Sequence, residues 1–258
     1  MKKRFLTIAL LMAGLIATAQ PKHYTTANAH SHNDYEQQQP FYAAYNAGFG
    51  SIEADIFIVK GKILVAHDIP ELQKNRGLEE YYVKPLNALV QKNNGHAYAD
   101  KNKHLQMMID VKANALVALD SLVALLKRYP LLSNNKTIQW VISGGRPAES
   151  PFSTYPSFIW FDGLPDKTYS AASLEKIPMI SDDFKTYSLW NGEGALPAAD
   201  EAKLTEVIEK CHALHKKVRL WDAPDSPAAW QQLMKLGVDY INTDKIEELH
   251  EYLEAHKQ

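Results

Sequence analysis

The amino-acid sequence predicts an α/β protein of one domain, a TIM-type (β/α)8 barrel carrying a β-hairpin and a loop insertion after its second strand. Three observations lead there. Short β-rich runs alternate with helical patterns from Asn28 to the C-terminus, the rhythm of βαβ units and a parallel sheet. There are eight such runs, the number that closes this kind of barrel. Residues 20–258 fall within the length, roughly 200 to 250 residues, that one α/β barrel occupies.

The expected strands are Ala27 to His30, Ser51 to Ile58, Leu105 to Val111, Thr137 to Ser143, Ser157 to Phe161, Ile177 to Ile180, Lys217 to Trp221 and Tyr240 to Thr243. Between them, Leu116, Leu119, Leu122, Val123 and Leu126 form one apolar stripe of a helix over Ala115 to Arg128. Asp200 to His215 and Ser226 to Leu236 behave likewise, the latter with Ser226 as N-cap, Pro227 at the first helical position and Gly237 after the last. Ile246 to Ala255 forms a closing helix. Ile58 to Val65 is β-rich on both sides of Gly61 and reads as a hairpin grown from the second strand. Ile69 to Lys103, with one helical piece, is expected to lie as an insertion over one barrel face.

Residues 1–19 read as a signal peptide. Lys2, Lys3 and Arg4 precede an apolar run from Phe5 to Ala17, and Ala17-Thr18-Ala19 supplies a small-x-small cleavage pattern. The run is shorter than the ~20 apolar residues a bilayer span needs, and no other segment suits a transmembrane span. The mature domain is therefore expected over 20–258, exported to a periplasmic or secreted location. A formal net charge of -2 offers no basic stripe for a nucleic-acid backbone, which excludes nucleic acid as the expected partner. Cys211 is the single cysteine, so no intramolecular disulfide forms. It reads as a small buried residue of a helix rather than a nucleophile.

The chemistry gathers at expected strand C-termini, the end where barrel enzymes place their active sites. The first cluster is His30-Ser31-His32-Asn33-Asp34-Tyr35. In the second, Glu53 and Asp55 have the i, i+2 spacing that puts both carboxylates on one strand face, while Ile52, Ala54 and Ile56 point toward the helices. His67-Asp68 ends the hairpin, and Asp110 and Lys112 share a face at the end of the third strand. Inward-facing carboxylates repel one another unless a cation neutralises them, and their oxygens suit Mg²⁺ or Ca²⁺.

The order of these motifs, His, then Glu-x-Asp, then His-Asp, then carboxylate-x-Lys, resembles the glycerophosphodiester phosphodiesterase and phosphatidylinositol-specific phospholipase C-like superfamily. It looks closest to the branch whose first motif is His-x-His-Asn-Asp-Tyr. Val218-Arg219-Leu220-Trp221 and Gly237 to Asp244 are similar to that family's last two strands. The resemblance implies an exported metal-dependent phosphoric diester hydrolase acting on a small phosphodiester or phospholipid headgroup. His32 and His67 would be its acid–base pair, with His67 the acid, and Glu53, Asp55 and Asp110 its ligands for a divalent cation, Mg²⁺ or Ca²⁺. The chain departs from the usual His-Arg-Gly in having Asn33 and Asp34 after His32, and from the usual Glu in having Asp110. Asn33, Lys112, Arg219 and Trp221 are the candidate substrate contacts, with Arg219 or Arg146 compensating for the missing arginine. Asp162 and Asp244, at strand ends, suit helix caps better than support of the metal ligands.

Two other readings stand beside this one. His30-Ser31-His32 is also the H-x-H of zinc amidohydrolase-like and PHP-like barrels, in which His30 would be a metal ligand. A secreted binding protein that kept the barrel and lost turnover is the other.

Overall fold

A capping box turns the backbone before the first strand begins: the Thr25 amide donates to Asn28 Oδ1 while Thr25 Oγ1 accepts from the Ala27 amide. Strand β1 therefore spans Ala29–Ser31 rather than starting at Ala27. The computed structural model describes residues 21, 23–148 and 152–256, so the expected signal peptide lies outside the described residues. After β1 come β2 (Ser51–Val59), β3 (Lys62–Val65), β4 (Leu105–Val111), β5 (Ile138–Gly144), β6 (Ile159–Gly163), β7 (Met179–Asp183), β8 (Lys217–Trp221) and β9 (Ile241–Thr243).

These pair in the order β8-β7-β6-β5-β4-β2-β1-β9, every neighbour parallel, with β3 antiparallel on β2. A parallel bridge between Arg219 and Tyr240, with the Asp239 and Tyr240 amides donating to the Val218 carbonyl, brings the two ends together. The result is a nearly closed barrel of eight parallel strands. Helices α1 (Tyr42–Asn46), α2 (Lys84–Lys92), α3 (Ala115–Lys127), α4 (Pro130–Ser133), α5 (Ala171–Leu174), α6 (Ala198–Ala213), α7 (Pro227–Leu236) and α8 (Ile246–Ala255) occur between and after the strands.

Strand parity divides the core in two. Ile52, Ala54, Ile56, Met107, Ile109, Trp140 and Ile142 point outward and are buried with Leu119, Leu122, Trp230 and Leu249 of the helices. Met108, Val141, Met179 and Tyr240 form a separate small cluster inside the barrel, against which Trp160 packs. Helix α7 has the expected ends: Ser226 Oγ caps the Ala229 amide, and Gly237 has a left-handed φ of 92°. Cys211 is buried in α6, and burial pushes its thiol up to about 11, which keeps it protonated and unreactive.

Two expectations are corrected. Only the first part of residues 69–103 lies at the barrel mouth, where Glu71 accepts from the His67 amide and Arg76 donates to the Tyr35 carbonyl; further on, α2 and the π-helical turn before it (Glu79–Val83) bury Tyr82, Val83, Leu86 and Val90 in the main core. Strands β6 and β7 run two or three residues further toward their C-termini than the sequence suggests. The Ile159 amide is turned back onto the Pro156 carbonyl, and Pro178 has no N–H to give a ladder, so both strands begin late. That shift places Asp162 inside a strand.

Candidate functional site

Register brings the chemistry to one level. Asp55 pairs with Asp110 across β2 and β4, and Asp110 pairs with Ser143 across β4 and β5. Glu53, Asp55 and Asp110 each offer an oxygen within 4.8 Å of the others. Asp110 reaches this position only because residue 144 is glycine. Its φ of +64° is left-handed, and a Cβ there would stand 1.9 Å from Asp110 Oδ1.

Glu53 is held from below by a chain of buried hydrogen bonds whose direction is fixed by its own carboxylate, which can only accept from His30. Gln106 Nε2 donates to Ser51 Oγ at 2.9 Å, leaving the serine hydroxyl to donate to His30 Nδ1 at 2.7 Å. His30 Nε2 then donates to Glu53 Oε2 at 2.7 Å. Arg219 Nη2 donates to the same oxygen at 2.8 Å, while its Nε donates to Asn242 Oδ1 at 2.9 Å. Burial, followed by the Arg219 charge, lowers the His30 pKa to about 4, so the ring is neutral at physiological pH as the hydrogen bonds require. Burial alone would raise the Glu53 pKa, yet the Arg219 guanidinium and the His30 hydrogen bond hold it well below the usual carboxylate range.

Asp55 is in the opposite situation. Burial, reinforced by the charges of Glu53 and Asp110 and opposed by Lys112, raises it to about 6. Lys112 Nζ lies 2.7 Å from Asp55 Oδ2 and 2.5 Å from Asp110 Oδ2. The Tyr35 hydroxyl donates toward Asp55 Oδ2 at 2.8 Å and lies 2.8 Å from Asn33 Oδ1. Asp55 Oδ1, though buried, has no partner. An orphaned carboxylate oxygen beside two further acids, with hard oxygen donors throughout, fits a divalent cation of the Mg²⁺ or Ca²⁺ type.

The two candidate acid–base histidines flank this group. His67 Nδ1 lies 3.1 Å from Asp55 Oδ2, with its ring more than half exposed. His32 Nδ1 lies 2.8 Å from Asp244 Oδ1. Burial works to lower the His32 pKa, but the Asp244 hydrogen bond and the Glu53 charge outweigh it and leave it raised. The expectation that Asp244 caps a helix is therefore corrected: α8 begins at Ile246 with Lys245 before it, and Asp244 continues the inward parity of Asn242 toward His32. Asp162 is corrected too. Its Oδ2 accepts from Ser143 Oγ at 3.0 Å, and it caps nothing.

The structure thus brings Glu53, Asp55, Asp110, Lys112, His32, His67, Asn33 and Arg219 to one barrel mouth. Arg219 faces inward as parity predicts, but it is buried and engaged by Glu53, Asn242 and Met108. Arg146 donates to the Asp162 carbonyl. Trp221 is 39% exposed at the rim and is not a core residue. Sequence reasoning missed the support given by Tyr35, His30 and Asp244. The i, i+2 parity of His30 with His32 and of Asn242 with Asp244 was the available signal.

With this geometry in place, similarity to known proteins is informative. The AIM6-like phosphodiesterase domain family matches residues 20–129, and the glycerophosphoryl diester phosphodiesterase family matches residues 217–247. The matched segments hold both histidines, the three acids and the β8–β9 closure. Together these matches support placing the chain in the glycerophosphodiester phosphodiesterase and phospholipase C-like superfamily. Within it, the chain is 28% identical over 259 residues to "Altered inheritance of mitochondria protein 6 homolog" of Arthroderma benhamiae, covering 84% of this chain and 81% of that protein. It is 25% identical over 269 residues to "Altered inheritance of mitochondria protein 6" of Eremothecium gossypii, covering 86% and 68%. A solved glycerophosphodiester phosphodiesterase from Parabacteroides distasonis shares the superfamily's barrel with a TM-score of 0.54 at 14% identity, covering 88% of this chain and 97% of that one.

Proposed function

We propose that the protein is an exported, metal-dependent phosphoric diester hydrolase that cleaves a small phosphodiester or phospholipid headgroup with His32 and His67 as its acid–base pair. The observation that carries this reading is the convergence of three carboxylates, one with an orphaned oxygen, with a lysine and two histidines at the C-terminal mouth of the barrel. A divalent cation held by Glu53, Asp55 and Asp110 would supply charge neutralisation at a non-bridging phosphate oxygen.

The chain's own residues do the rest. Lys112, held between Asp55 and Asp110, presents a fixed positive charge to the phosphoryl oxygens. His32, oriented through Nδ1 by Asp244, has Nε2 left to exchange a proton, and His67 is oriented through Nδ1 by Asp55. One takes the proton of the attacking hydroxyl, from water or from a neighbouring alcohol of the substrate, and the other protonates the leaving alkoxide. Arg219 and His30 position Glu53 without touching substrate.

A zinc centre on His30 is not favoured, because both nitrogens of that ring are engaged, one by Ser51 and the other by Glu53. Among the described residues no helix is long and apolar enough to cross a membrane. The family match begins at residue 20, where export would start the mature chain. A panel of phosphodiesters followed by phosphorus NMR, with and without chelator, tests the reading. Chelator-sensitive conversion to a phosphomonoester or a cyclic phosphodiester is expected. No turnover of any diester with Mg²⁺ or Ca²⁺ would leave a binding protein as the better description.

A further inference from the structure

Nothing apolar fixes the segment that carries His67. The Ala66 amide still donates to the Asp55 carbonyl of β2, but from His67 to Asn75 no residue is buried. The 3-10 turn over Pro70–Lys74 adds no side chain to the core, and Ile69 stands 72% exposed. A stretch without buried apolar contacts opens easily, so its position has to come from polar ones. Those contacts converge on Arg76.

Arg76 is 8% exposed, the first buried residue after Ala66. Its backbone closes the loop, because the Arg76 carbonyl accepts from the Val65 amide at 2.7 Å. Its planar guanidinium then reaches three acceptors at once. Nη1 donates to the Tyr35 carbonyl at 2.8 Å, with the guanidinium carbon 5.0 Å from the centre of the Tyr35 ring. Nη2 donates to Glu36 Oε1 at 2.9 Å and to Glu71 Oε2 at 3.1 Å. Glu71 Oε2 in turn accepts from the His67 amide at 3.1 Å, and the Glu71 amide donates to Asp68 Oδ1 at 3.1 Å. Engaged in this way inside the protein, the guanidinium acts only through other residues. The β1 loop brings Tyr35, whose hydroxyl donates toward Asp55 Oδ2 at 2.8 Å, and the next loop brings His67, whose Nδ1 lies 3.1 Å from the same oxygen. Arg76 is the side chain that joins the two loops.

We infer that Arg76 is a positioning residue: acting through Glu71, it holds the His67 loop against the β1 loop and so keeps the His67 ring at Asp55, where it can protonate a leaving alkoxide. The acid role of His67 rests on the hydrolase reading above, whereas the placing of its ring does not. The test is Arg76→Lys, which keeps the positive charge and loses the fork that spans the three acceptors. Cleavage of the ethyl ester of glycerol 3-phosphate needs a proton on the departing alkoxide, and cleavage of the p-nitrophenyl ester needs little. Arg76→Lys is expected to lower kcat for the ethyl ester by roughly 10-fold or more, the effect of a small misplacement of a catalytic group, and for the p-nitrophenyl ester by roughly 3-fold or less. In a His67→Ala background the same change should cost nothing further.

A role in folding alone would slow both esters equally. Equal loss on the two esters, or an undiminished further loss in the His67→Ala background, would overturn the inference and leave the hydrolase reading intact. Should Arg76→Lys fail to fold, Glu71→Ala decides by the same comparisons, since it removes the link to the His67 amide at a partly exposed side chain. If wild type cleaves neither ester, that counts against the hydrolase reading, and the ring itself becomes the readout. The imidazole NMR resonances of His67, assigned with His67→Ala, should shift in Arg76→Lys and Glu71→Ala, while those of His212, paired with Asp239 away from the mouth, stay in place. Unmoved His67 resonances in both variants would overturn the inference whatever the enzyme turns over.

Discussion

His32 and Asp244 stand 212 residues apart in the chain and 2.8 Å apart in the fold, Nδ1 to Oδ1, because β1 and β9 are parallel neighbours. The pairing fixes which ring nitrogen faces the substrate and raises the histidine's pKa against the opposing effect of burial. Removing the carboxylate removes a stabiliser of the protonated ring, so the pKa must fall. In Asp244→Asn, the limb of the pH–rate profile belonging to His32 should move to lower pH, and kcat should drop by roughly ten-fold or more as orientation is lost. A limb that stays in place while kcat falls would show that Asp244 acts on something other than His32.

The two histidines should be separable by leaving group. Each change to Ala should cost roughly 10²- to 10⁴-fold with an alkyl diester. A nitrophenyl ester, which needs little protonation on departure, should rescue the variant lacking the acid, expected to be His67→Ala, and not the variant lacking the base. Because the pair acts as a unit, the double variant should lose less than the product of the single losses. Failure of both rescues, with His30→Ala as damaging as His32→Ala, would require the acid–base roles to be withdrawn.

Gly144 gives a test of the carboxylate cluster that replaces none of its members. A Cβ at this position meets Asp110 Oδ1 at 1.9 Å, on a backbone of positive φ. Gly144→Ala should displace Asp110 and weaken binding of Mg²⁺ or Ca²⁺, read by calorimetry, as Glu53→Gln and Asp55→Asn should do directly. Unchanged affinity in all three variants would remove the cation from Glu53, Asp55 and Asp110.

Arg219 should prove structural as well as functional. Both it and Glu53 are buried, and Arg219→Ala leaves the Glu53 charge without the cation that donates to it. Loss of one partner of a buried pair costs about 3–5 kcal/mol, measurable as reduced stability to urea. A variant as stable as wild type that has lost activity would mean that Arg219 meets the substrate instead.

Export makes a direct prediction. N-terminal mass analysis of the protein recovered outside the cytoplasm should find a chain beginning at Gln20, with the glutamine often cyclised. An intact Met1 on a cytoplasmic protein would refute it.

Much of this protein was determined by local sequence. Alternating strand and helix patterns specified the barrel. The i, i+2 spacing of Glu53 and Asp55 specified two carboxylates on one face, and Ser226-Pro227 with Gly237 specified both ends of α7, because each is a property of a few consecutive residues and their backbone periods. What only the tertiary structure decided depends on neighbours across strands. Register set Asp110 level with Asp55 and beside a glycine that lets it in. Barrel closure took Arg219 from the phosphate contact expected of it to Glu53, and Asp244 from a helix cap to His32. Pro178 delayed β7, and the Pro156 turn delayed β6, which turned Asp162 from a cap into an inward-facing side chain. Hydrogen-bond partners separated by hundreds of residues leave no periodic trace in a sequence, so the supports of the site became visible only when the strands closed.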